Sequence, residues 1–139
     1  MAKGYLSALL VTLCLIWPAA KALAVDDRMA VTLNEEQKAF VLGHMRDMLE
    51  ALTDTQQLLL EGKREELRQR IASLQSREQA NRPKGLGKQI PPAFRAMAQS
   101  MRPHWQAIQN PDASEDEVRQ HGVDLMRVCN ACHRTFSIQ

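Results

Sequence analysis

The chain is short of most residue types that announce a chemistry. It has three Cys, one Tyr, two Trp and three Phe among 139 residues. Three cysteines are too few for the framework that staples a disulfide-rich scaffold. There is no Gly-rich phosphate loop, no alternation at strand period, no internal repeat and no low-complexity tract. No Ser/His/Asp or paired-carboxylate constellation stands out either, so the sequence does not point to an enzyme. The length fits one small domain and excludes a multidomain enzyme or a polytopic membrane protein.

Even the sparse residues are unevenly spread. Lys3 is followed by an uncharged, mostly apolar run from Leu6 to Trp17, then Pro18 and the small-x-small triplet Ala22-Leu23-Ala24. That is the form of an exported signal peptide over residues 1–24. Twelve helical residues rise only about 18 Å, short of the ~30 Å hydrocarbon core, so a spanning anchor does not fit. Cys14 lies inside this run, with bulky Leu13 before it. The expected mature chain, 25–139, loses Lys3 and Lys21 and is left with 16 basic against 16 acidic side chains. It is formally neutral, which gives no reason to expect nucleic-acid binding. About 38% of it is apolar, a lean composition for a core, and it has no Tyr and one Trp, Trp105.

Two cysteines then remain, in Cys129-Asn130-Ala131-Cys132-His133. C-x-x-C-H is the c-type haem attachment signature. Two thiols add across the two vinyl groups of one haem, and the adjacent imidazole ligates its iron. On a helix, positions i, i+3 and i+4 share one face, so all three reach the same macrocycle. A thioredoxin-like pair belongs in a βαβ setting that this sequence lacks. A structural zinc site needs a second ligand pair, which His44, His104 and His121 do not form at suitable spacing. A disulfide across three residues leaves His133 without a role.

The hydrophobic pattern predicts four helices. Thr32-Leu33-Asn34-Glu35 has capping-box form. The first helix then runs to about Leu60, with Phe40, Val41, Leu42, Met45, Met48, Leu49, Leu52 and Leu59 at three- and four-residue steps. The second spans about Arg64 to Ala80 on Leu67, Ile71 and Leu74, with a heavily charged outer face. Asn81 to Pro92 reads as the longest break, locally basic through Arg82, Lys84 and Lys88. The third helix starts near Pro92 with Phe94, Met97, Met101, Trp105 and Ile108 inward, and Pro103 is expected to kink it or shift its boundary. Ser114-x-x-Glu117 is a second capping box, opening a last helix to about Phe136. The reading is all-α: an antiparallel up-down four-helix bundle around a covalently bound haem.

This combination resembles the class II c-type cytochromes, cytochrome c prime and its low-spin relatives, whose C-x-x-C-H lies near the C-terminus on the last of four helices. The resemblance covers about Val25 to Gln139. It implies one haem c, thioether-linked to Cys129 and Cys132, with His133 as proximal iron ligand. Phe136 matches an aromatic three residues beyond the His; where the family often has a basic residue, Ser137-Ile138-Gln139 follow, leaving Arg134 as the nearest cation. In the family the first helix faces the distal side. A Met there gives low-spin His/Met iron for electron transfer; a non-ligand leaves five-coordinate, high-spin iron that binds small gases such as NO or CO.

Taken at 100° per residue, Met45 sits near the centre of the apolar stripe, Met48 about 60° off, and His44 about 100° off and pointing away. Met45 is therefore the expected distal ligand, with Met48 the rival. A gas-binding pocket would instead be walled by Leu49, Leu52 and Met48. The expected protein is a periplasmic electron carrier that meets redox partner proteins and is not membrane-inserted once its signal is cleaved. The family also admits a homodimer through the first two helices.

Overall fold

The computed structural model describes residues 26–139, so the expected signal peptide and Cys14 lie outside the described residues. The described chain is mostly helical: β1 (Met29–Val31), α1 (Glu35–Leu60), α2 (Arg64–Asn81), α3 (Leu86–Gln89), α4 (Pro92–Ser100), α5 (Arg102–Gln109), α6 (Glu115–Thr135) and β2 (Phe136–Ile138). Among the described residues no helix is long and apolar enough to cross a membrane.

The strands were not expected. β1 and β2 pair in parallel, with Met29 opposite Phe136 and Val31 opposite Ile138. The pairing continues through Gln139 N–H to Val31 O and Leu33 N–H to Gln139 O, both 3.1 Å. It has two consequences for the helices. α6 stops at Thr135, since Phe136 is extended at the cap. α1 cannot start at Thr32, because the chain is still paired there. Its cap is Asn34, whose side chain accepts from Gln37 N–H while the Gln37 side chain accepts from Asn34 N–H. The capping box is thus two residues later than the sequence suggests. At α6 the predicted box holds: Glu117 accepts from Ser114 N–H at 2.7 Å and donates its own N–H to Ser114 Oγ.

The predicted third helix is two helices. The break falls at Met101, and Pro103 sits in the first turn of α5, where its missing N–H costs nothing. The one-turn α3 also interrupts the expected loop; it follows Gly85, whose φ of 77° suits glycine.

α1 packs along α2 and α5 along α6, with further contacts α2 to α5 and α1 to α6. These four helices close a ring. Arg70 ties α2 to α1 through Asp54 (2.5 Å) and Glu50 (3.4 Å). Two apolar clusters fill the interior. One joins Leu52, Leu59, Leu67, Ile71, Ile108 and Leu125 deep between the four helices. The other gathers Val31, Val41, Leu86, Ile90, Phe94 and Phe136 around the strand pair.

Candidate functional site

Between the two clusters lies a cavity of about 680 Å³, within the range of small-molecule and cofactor pockets. The expected haem-attaching and iron-ligating residues all line it: Met45 and Met48 from α1, Cys129, Cys132 and His133 from α6. Cys129 and Cys132 are half-buried free thiols, and His133 is exposed. Burial pushes both thiols above their ordinary pKa, because the charged thiolate loses hydration. Trp105, the single Trp of the described chain, also lines the cavity, with Phe94 opposite on the other cluster.

The two methionines belong to opposite walls. Met45 packs on the strand-end cluster and Met48 on the deep one. The buried residues of α1 are Gln37, Val41, Ala51, Leu52, Thr55 and Leu59. At 100° per residue their centre falls close to Met48 and about 60° from Met45. The stripe is therefore rotated from its expected position, and Met45 sits on its edge.

Two further expectations fail with that rotation. Leu49, read as a pocket wall, is 65% exposed, and neither it nor Leu52 lines the cavity. His44, expected to point away, does line it. Its ring stacks on Phe40 at 6.1 Å and 9°, and burial lowers its pKa.

The cavity also has a cationic lining. Arg134 is not among the lining residues, whereas Arg82, Arg95 and Arg102 are. Arg95 is oriented by the carbonyls of Gly87 and Ile90, and Arg82 by Glu78 at 2.9 Å. Sequence reasoning passed over Arg95 and Arg102 because the turns that bring them to the cavity leave no periodic signal.

A second, smaller cavity of about 210 Å³ adjoins the first through Met45, Cys132 and His133. Arg28 lines it and donates to the carbonyls of His133 (3.1 Å) and Phe136 (3.4 Å). Ser137, whose buried hydroxyl has no partner among the described residues, lines it too. The cavity pair thus offers two thiols, two imidazoles, four thioethers and four guanidinium groups around apolar walls. That donor set fits a macrocycle held by sulfur, ligated through nitrogen and carrying carboxylates. The chain matches no protein-family profile, no curated protein and no solved structure.

Proposed function

We propose that the chain is a mono-haem c-type cytochrome that carries electrons, resembling the low-spin class II cytochromes. The observation that carries the reading is the convergence of Cys129, Cys132, His133, Met45 and Met48 on one cavity of about 680 Å³. Bound haem supplies an iron that alternates between ferrous and ferric states.

The chain's residues then have distinct tasks. Cys129 and Cys132 would hold the haem, each thiol adding across one vinyl group so that its S–H bond and the vinyl π bond are replaced by one S–C and one C–H bond. The His133 imidazole is the proximal ligand. Met45 is the proposed distal ligand, a pairing that raises the haem potential. Leu86, Ile90, Phe94 and Trp105 keep water from the macrocycle, and Arg82, Arg95 and Arg102 suit its carboxylates. Electron transfer to a protein partner needs no substrate pocket, so the reading assigns no catalytic residue.

The closed ring of α1, α2, α5 and α6 supports an antiparallel up-down four-helix bundle, with α3 to α5 together filling the third position. Export to the periplasm belongs to the same proposal. The purified protein is expected to begin at Val25 by N-terminal sequencing, and its native mass separates monomer from homodimer.

One spectrum tests the ligand set. The reduced protein is expected to show a sharp low-spin α band, and the oxidised protein a far-red sulfur-to-iron charge-transfer band. Met45→Leu abolishes that band and Met48→Leu retains it. Loss in Met48→Leu alone moves the distal role to Met48, as the rotated stripe of α1 allows. Rapid CO binding by the reduced protein, unaltered by Met45→Leu, overturns the carrier reading in favour of five-coordinate, gas-binding iron.

A further inference from the structure

A second group of donor side chains meets where α5 packs along α6. His104 lies in the first turn of α5; His121 and Asp124 are three residues apart on α6 and so share a face. All three are half-buried. The Nδ1 atoms of His104 and His121 are 3.0 Å apart, and one ligand atom from each of the three residues lies within 4.8 Å of the others. We infer that His104, His121 and Asp124 bind a divalent transition cation, zinc or copper(II), that clips α5 to α6.

The donor set selects the class of ion. Two imidazoles and one carboxylate suit zinc and copper(II), whereas calcium and magnesium take oxygen donors. The spacing of the two imidazoles suits it as well, and the carboxylate oxygen, within 4.8 Å, has to close in. A tetrahedral zinc with bonds of about 2.0–2.1 Å holds its donors about 3.3 Å apart, so the imidazole pair need open only slightly.

The protonation pattern is compatible. In the direct contact, one Nδ1–H donates to the other Nδ1. With a cation between them, that proton sits on Nε2 of the same ring, and both Nδ1 lone pairs face the metal. No proton is lost.

Asp124 is already oriented. Gln120 Nε2 (3.2 Å) and Arg127 Nη1 (2.7 Å) both donate to Oδ1, and a carboxylate oxygen lies within 4.8 Å of a ring nitrogen of each histidine. Such outer-shell bonds fix a ligating carboxylate. Three protein ligands leave a fourth position for water. The site shares no residue with the large cavity, so it stands or falls independently of the proposed haem. Its mechanical link to that cavity is close, because His104 adjoins Trp105, which lines the cavity from α5.

The test uses the purified full chain, stripped with chelator and titrated with zinc by calorimetry. One equivalent is expected to bind at micromolar concentration or below and to raise the thermal midpoint. His104→Ala, His121→Ala and Asp124→Asn each weaken binding by about tenfold or more. Their midpoints in chelator show whether they remain folded. Copper(II) loaded at the same site is expected to give an electron paramagnetic resonance spectrum with two coupled imidazole nitrogens, one in either single His variant. Undiminished zinc uptake by the His104→Ala/His121→Ala double variant overturns the proposal and places the metal elsewhere, with the Cys129–Cys132–His133 group the first alternative. Absence of zinc binding at micromolar concentration overturns it outright.

Discussion

Gly122 lies where α6 faces α1. It is buried on the inner face of α6, and a Cβ placed there meets Gln56 Nε2 of α1 at 3.3 Å. That atom is the far end of a flexible, exposed side chain, so it can move aside. Ala also removes the entropic penalty of glycine within a helix, about 0.5–1 kcal/mol. Gly122→Ala is therefore expected to stabilise the protein by up to about that amount in urea denaturation. Asn34 works in the opposite direction. Its side chain satisfies the Gln37 N–H at 2.8 Å, and Asn34→Ala is expected to cost about 1 kcal/mol by the same measurement. The rotated stripe of α1 is also decided by single residues. Thr55 is fully buried because its hydroxyl donates to Ala51 O at 2.7 Å, and Gln37 is buried in the capping box. Neither reads as core in a sequence, whereas Leu49 does and lies outside. A periodicity argument weighs only apolar type, so it placed Met45 at the centre instead of the edge.

The helical elements were largely legible, because each long helix carries its own signal. Leu67, Ile71 and Leu74 are the buried residues of α2 as read, and Ser114 caps α6 as read. The C-x-x-C-H thiols and imidazole lie together on the cavity, since helical spacing alone fixes their common face. What escaped were the elements that depend on distant partners. Three-residue strands are too short to show alternation, and β1 finds its partner more than a hundred residues away. Phe136 makes that partnership structural: it is buried and packs edge-on against Phe94 at 5.2 Å. Phe136→Ala is expected to cost about 3–5 kcal/mol, measured by thermal unfolding of the purified protein. At the start of α6, the backbone and side-chain bonds from Ser114 hold the Glu117 carboxyl below its usual pKa of 4.5. The fold therefore favours the ionised form. Its contribution is present at neutral pH and is lost as pH falls below 4.5 and through the lowered value. Glu117→Gln should flatten that acid limb when unfolding is followed from neutral pH downwards.

At the scale of the whole molecule, the two apolar clusters are small and meet across the cavity, which separates the deep core from the strand-end core. Met48, Met101 and Trp105 border it from one cluster, and Met45, Met97 and Phe94 from the other. A rigid apolar group seated there touches both and turns them into one continuous core. The surface adds little to compensate, because cross-helix ion pairs such as Arg70–Asp54 are at least partly exposed and such pairs contribute about 0–1 kcal/mol. Small domains have only about 5–15 kcal/mol of total stability. On the proposed function, the contacts that haem makes with both clusters are thus a large part of what holds the fold together. The Cys129→Ala/Cys132→Ala variant cannot attach the group, so its thermal transition, followed by circular dichroism, is expected to be much lower and broader than the parent's. The two clusters should also part company: Phe136→Ala in that background should act on the strand end and leave the deep core largely unaffected, whereas in the haem-bound parent it weakens a single cooperative unit. A sharp transition at the parent's midpoint in the double-cysteine variant would show that the clusters cohere without the cofactor, and that their separation by the cavity has no energetic consequence.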